Sequence, residues 1–137
     1  MKIDHVGIIV RDLNKAVSLY KELLNVPMIF EENKGWISAI LYTESGKLEL
    51  MQPTDENSPV GKALAKRGEG IHHLAIEVDD VQAYLNKAEQ LGLPLIDQHP
   101  RKGSEERMIG FIHPRGVNGV LLEFNMPDPE KKQEDEA

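Results

Sequence analysis

Four residues able to bind a metal or move a proton fall at matched places in this sequence. His5 and His73 stand 68 positions apart, and Glu49 and Glu123 stand 74 apart. Each lies in a run that occurs twice. His5-Val6-Gly7-Ile8-Ile9-Val10-Arg11-Asp12 corresponds to His73-Leu74-Ala75-Ile76-Glu77-Val78-Asp79-Asp80. Leu24-Asn25-Val26-Pro27-Met28-Ile29 corresponds to Leu91-Gly92-Leu93-Pro94-Leu95-Ile96, and Leu48-Glu49-Leu50 to Leu122-Glu123-Phe124. Imidazole and carboxylate donors without sulfur suit Mn, Co, Ni, Fe or Zn. Four such donors leave two positions open on an octahedral ion, enough to chelate a substrate through two oxygens. The ion would then stabilise an enolate as a Lewis acid. A lone strand glutamate normally faces water, and a lone strand histidine normally packs as a hydrogen-bonded filler. Recurrence of all four at repeat-related positions tips the reading to one shared site.

The elements that must position these residues follow from local pattern. Ile3 to Val10 reads as a buried strand. Asp12 caps a helix carrying Leu13, Ala16, Val17, Tyr20, Leu23 and Leu24 at helical spacing, ended by Asn25-Val26-Pro27. Strands follow near Met28–Glu31, Trp36–Thr43 and Lys47–Met51, the last two forming a hairpin over Glu44-Ser45-Gly46. Val60 to Lys66 reads as a short helix. The pattern then restarts with a strand over Ile71 to Val78 and a helix capped by Asp80 and stopped by Gly92. Strands follow near Leu95–Asp97, Met108–His113 and Gly119–Phe124. Each half is therefore β-α-β-β-β. Strand side chains alternate between faces. Val6, Ile8 and Val10 share the helix-covered face, and His5 points the other way with the small Gly7 two residues on. His73 and Ala75 do the same in the second half, while His72 points at the helix layer. Glu49 and Glu123 each face away from their apolar neighbours. A repeat of about 70 residues is too long for a solenoid unit and implies two modules packed about a pseudo-twofold.

The chain has 137 residues, 40% of them apolar and 28% charged, which is one domain of ordinary globular composition. We expect a single domain over 1–126, with modules at about 1–53 and 70–126 joined by 54–69, and a flexible charged tail at 127–137. The absence of cysteine excludes disulfides, thiolate metal sites and a cysteine nucleophile. A net charge of −7 argues against nucleic acid and anionic membranes as partners. No apolar run approaches the length a bilayer needs. The N-terminus enters a strand pattern at once, without a signal-peptide layout, so a cytoplasmic location is expected. Secondary candidates are weaker. His99 and His113 precede prolines and read as structural loop residues. Lys62, Lys66 and Arg67 read as a solvated helix face before they read as an anion contact. Trp36, Ser38, Ile40 and Tyr42 share a strand face. No G-x-S-x-G, P-loop or G-x-G-x-x-G occurs.

The paired β-α-β-β-β halves with His and Glu in each resemble the vicinal oxygen chelate (glyoxalase) superfamily, and within it the methylmalonyl-CoA epimerases. The resemblance is carried by Asp4-His5-Val6-Gly7-Ile8, Lys47-Leu48-Glu49-Leu50-Met51-Gln52-Pro53 and Ser58-Pro59-Val60-Gly61-Lys62. It continues in Gly68-Glu69-Gly70-Ile71-His72-His73-Leu74-Ala75, Phe111-Ile112-His113-Pro114 and Gly119-Val120-Leu121-Leu122-Glu123. It implies an α+β fold whose two modules form a curved, barrel-like mixed sheet with a metal site in its concave face. It also implies His5, Glu49, His73 and Glu123 as ligands of a divalent ion such as Co, Mn, Ni or Zn. The implied partner is an acyl-CoA substrate, and the implied assembly is a homodimer. The implied reaction is interconversion of R- and S-methylmalonyl-CoA by α-proton abstraction, with Glu123 as one acid/base. Two readings compete with it: a glyoxalase I type lactoylglutathione lyase, and a non-catalytic small-molecule binder of the same superfamily. Two features depart from the epimerase pattern. Some family members carry a glutamate three residues after the glycine that opens the third strand, where this chain has Ser38 after Gly35. The loop Lys102-Gly103-Ser104-Glu105-Glu106-Arg107 also carries two acidic residues where the family has Gly-Ala-His-Gly.

Overall fold

A computed structural model describes residues 1–130 of the chain. The class is α+β, as expected. Among the described residues, eight strands and three α-helices appear in the order β1 (Lys2–Ile9), α1 (Leu13–Leu24), β2 (Met28–Asn33), β3 (Trp36–Thr43), β4 (Gly46–Pro53), α2 (Pro59–Arg67), β5 (Gly70–Glu77), α3 (Val81–Gln90), β6 (Arg101–Lys102), β7 (Arg107–Ile112) and β8 (Leu122–Pro127). Two compact units emerge. One spans His5–His73, and the other combines Met1–Asp4 with the described residues from Leu74 onward.

In the unit His5–His73 the strand order is β2-β3-β4-β1. β2 and β3, and β3 and β4, are antiparallel, and β1 runs parallel to β4 with Gly7 opposite Glu49. The helix α1 begins where Asp12 accepts a hydrogen bond from the Lys15 backbone N–H at 3.1 Å. Its apolar stripe then meets one sheet face, where Val10, Leu13, Ala39, Leu41 and Leu50 are buried together with Ile8, Ala16, Val17 and Tyr20 against them. The opposite face carries His5, Gly7 and Ile9. Helix α2 covers part of that face. Pro59 sits in its first turn after the N-cap Ser58, which suits proline because the missing N–H has no helical partner there. Val60, Ala63 and Leu64 pack with Ile9, Met51 and Trp36.

In the other unit the order is β5-β8-β7-β6, with β5 and β8 parallel and the remaining pairs antiparallel. Asp80 caps α3 as Asp12 caps α1, accepting from the Ala83 N–H at 3.2 Å. Val78, Val81, Leu85, Ala88, Ile112 and Phe124 form the core beneath it. Two expectations fail here for local reasons. Leu95–Asp97 makes only an isolated bridge, Leu95 to Ile112. The Asp97 carboxylate accepts the Phe111 N–H at 2.9 Å, while the Ile96 and Asp97 N–H groups share the Phe111 carbonyl. A side chain thus takes a place a strand ladder would fill, and the short partner of β7 is instead Arg101–Lys102. The last strand begins at Leu122 rather than Gly119 because Asn118 and Gly119 have positive φ (64° and 80°). They close a turn in which the Gly119 N–H donates to the Pro114 carbonyl. At the C-terminal end, Pro127 belongs to β8 and Asp128 is buried. The rest of the expected charged tail, 131–137, lies outside the described residues.

Candidate metal centre

Three of the four expected ligands meet within the unit His5–His73. β1 enters this unit at His5 and β5 leaves it at His73. The two Nε2 atoms stand 2.9 Å apart, with the rings perpendicular. Glu49 Oε1 lies 3.7 Å from His5 Nε2 and 3.8 Å from His73 Nε2. Two ligands on adjacent positions of an octahedral ion, with bonds of about 2.1 Å, stand about 3.0 Å apart, and opposite ones about 4.2 Å apart. The 2.9 Å spacing is close to that of adjacent ligands and the 3.7 and 3.8 Å spacings lie between the two values, so all three atoms can reach one first-row divalent cation at about 2.1 Å.

Protonation favours the same reading. Burial, then the neighbouring His5 and His72 charges, holds His73 well below the usual imidazole range, so its lone pair is available. His72 is lowered to about 4 by burial and by Arg67 at the end of α2. Its Nδ1 lies 2.9 Å from His73 Nδ1. With His73 Nε2 turned to a cation, His73 Nδ1 carries the proton and donates it to His72 Nδ1, which fixes the ring's tautomer. Placing His72 only against the helix layer misses this contact.

Gly7 explains how two imidazoles fit. A Cβ at Gly7 would meet the His73 ring on three atoms, Nε2 at 2.9 Å. The missing side chain is the slot the ring fills.

Glu123 lies on β8 in the other unit and is 5% exposed. The Asn125 amide donates to its Oε2 at 3.1 Å and to Asp4 Oδ2 at 3.2 Å. Asn125 went unnoticed in the sequence. The signal was there: the matching position after Glu49 is Met51, so the repeat breaks its polarity two residues beyond the glutamate. Ser38 is fully buried, and its Oγ accepts from Asn33 Nδ2 at 3.3 Å. Across the β2–β3 ladder it pairs with Glu31. His99 and His113 serve loops, His99 beside Gln82 and His113 accepting the Arg115 N–H.

Residues 4–111 match the Glyoxalase/Bleomycin resistance protein/Dioxygenase superfamily, and the chain belongs to that family. Its relatives include epimerases. The ethylmalonyl-CoA/methylmalonyl-CoA epimerase of Cereibacter sphaeroides is 32% identical, over 90% of this chain and 96% of the relative. A solved methylmalonyl-CoA epimerase in complex with methylmalonyl-CoA and NH4+ is 36% identical with a TM-score of 0.86, covering 93% of this chain and 95% of the other. The uncharacterized protein YqjC of Bacillus subtilis is 35% identical over 98% of this chain and 99% of its own. Among the described residues, no helix is long and apolar enough to cross a membrane.

Proposed function

We propose that this protein is a metal-dependent epimerase that interconverts R- and S-methylmalonyl-CoA, with His5, Glu49, His73 and Glu123 holding a divalent cation. The observation that carries the cation is the pair of Nε2 atoms 2.9 Å apart with Glu49 beside both. The substrate rests on the epimerase relatives. A bound divalent cation supplies Lewis-acid stabilisation of the charge that develops on the substrate's oxygens as the α-proton leaves. The residues of the chain do the rest. His73 and His5 offer ring nitrogens, with His72 setting the His73 tautomer. Glu123 takes or returns the α-proton on one face of the carbon.

Inversion without a redox cofactor needs a second acid/base group on the other face. Ser38 is too weak an acid or base for this work alone. On the face of β1–β4 that carries His5 and Glu49, one further carboxylate occurs in the register, Glu31 directly across from Ser38. We assign it the second transfer. A cytoplasmic location and a homodimer complete the reading; fractionation and light scattering test them.

The decisive experiment follows α-proton exchange of methylmalonyl-CoA in deuterium oxide. Exchange with inversion, lost on chelation and restored by Co or Mn, is expected. No exchange by metal-replete protein overturns the assignment. Turnover of the methylglyoxal–glutathione hemithioacetal in its place assigns the lyase reaction.

A further inference from the structure

The repeat that pairs Glu49 with Glu123 does not pair what supports them. Two residues beyond Glu49 stands Met51, packed with Ile9 and Val60 under α2. Two residues beyond Glu123, on the same strand face, stands Asn125, 1% exposed. A carboxamide this deeply buried must have both its carbonyl and its N–H groups satisfied. Arg107 determines which end points where. A guanidinium only donates, and Arg107 Nη2 lies 3.0 Å from Asn125 Oδ1. The amide N–H groups therefore face the other way, one toward Glu123 Oε2 at 3.1 Å and one toward Asp4 Oδ2 at 3.2 Å. Arg107 is itself anchored, donating to Glu77 Oε1 at 2.9 Å, and Glu77 pairs with Lys2 at 3.1 Å. The chain of contacts Lys2–Glu77–Arg107–Asn125 leaves the amide one orientation. Two buried carboxyl groups share its two donors.

We propose that Asn125 is the positioning residue for Glu123. Locked by Arg107, it holds the Glu123 carboxylate in the orientation that serves the cation and the substrate's α-proton. Its second N–H holds Asp4, the residue before His5, so one amide steadies both a ligand and the backbone next to another. The first half needs no such device, because Glu49 acts as a ligand and moves no proton. This inference rests on the cation site proposed above.

The test compares Asn125→Asp and Arg107→Lys with the wild-type full-length chain. Asn125→Asp keeps the size and the acceptor toward Arg107 but removes both donors to the carboxylates. Arg107→Lys keeps Asn125 but loses the planar fork that orients it. The readouts are Mn2+ affinity by titration calorimetry, kcat and KM for methylmalonyl-CoA, and the urea midpoint. Loss of such a supporting hydrogen bond costs about 10–100-fold in metal affinity or activity. Asn125→Asp is expected to weaken Mn2+ binding within that range and to lower kcat with KM little changed. Arg107→Lys is expected to move both in the same direction by less. Wild-type Mn2+ affinity and kcat in Asn125→Asp overturn the proposal, even with a lowered urea midpoint, because the amide would then serve the fold alone. If that variant does not fold, unchanged Mn2+ affinity and kcat in Arg107→Lys overturn it equally. Wild-type protein that binds Mn2+ but leaves methylmalonyl-CoA untouched refutes the substrate, and the Mn2+ readout still decides the role of Asn125.

Discussion

The slot at Gly7 offers the sharpest perturbation of the proposed centre. In Gly7→Ala the new methyl would overlap the His73 ring, with Nε2 at 2.9 Å and Cε1 and Nδ1 nearer still. Ordinary contact begins at 3.4 Å, so even Nε2 must retreat about half an ångström, and the ring must tilt to relieve the other two atoms. It has little room to do so. His5 Nε2 and His72 Nδ1 each stand 2.9 Å from it on opposite nitrogens, and His73 is 4% exposed. Overpacking a tight site costs about 1–3 kcal/mol. For a domain of this size each kcal/mol lowers Tm by about 3–4 °C, so a fall of roughly 3–12 °C is expected. A ligand displaced toward 1 Å costs about 10²-fold in turnover. Mn2+ titration, kcat and thermal melting of the variant test this together. A variant with wild-type Tm and Mn2+ affinity would refute the claim that the ring occupies the glycine's side-chain space.

The other predictions address the cation, the protons and the buried histidines. Adding Mn2+ at about 100 times its Kd to chelated protein should raise stability by about 2.7 kcal/mol, seen as an upward Tm shift, and restore turnover; an unchanged Tm argues against a folded-state site. Glu31→Gln should abolish net inversion while one enantiomer of methylmalonyl-CoA still exchanges its α-proton with solvent through Glu123. Full inversion by Glu31→Gln would remove Glu31 from the mechanism. His72 and His73 are both held below their ordinary pKa in the folded chain, so the unfolded chain binds more protons as pH falls. Their contribution to the stability of metal-free protein is complete above about pH 6.5 and is lost on acidification, for His72 as pH falls toward about 4. The urea midpoint in chelator should therefore drop between pH 7.5 and 5, and less steeply in His72→Gln. An equal drop in the variant would mean that His72 is not buried as neutral imidazole.

How far the sequence discloses this protein depends on whether the information is local. Asp12 and Asp80 cap helices because a capping carboxylate acts on backbone three residues away, and both helices start where the pattern places them. Alternation along β1 correctly puts Ile8 with α1 and His5 on the other face, since period-two geometry is also local. Leu95–Asp97 misleads for the opposite reason. Its apolar character suits a strand, but whether a ladder forms turns on what Phe111 offers across the gap, and there the Asp97 carboxylate intervenes. The centre follows the same division. The four expected ligand types are visible as a repeat, because duplication preserves residue identity at fixed offsets. The slot at Gly7, the His72 contact and the Asn125 amide depend on register between strands far apart in the chain, which no offset encodes. Gly7 looks like any small strand residue, yet an imidazole fills its side-chain space. Met51 and Asn125 look like neutral drift at matched positions, yet one packs under α2 and the other joins two carboxylates. If the two halves began as copies, a symmetric pair of glutamates would have had identical surroundings. In the proposed site Glu49 only binds the cation, whereas Glu123 binds it and also moves a proton on one face of the carbon, with Glu31 serving the other, and that difference in work between the paired glutamates is matched by the difference at the second residue beyond each.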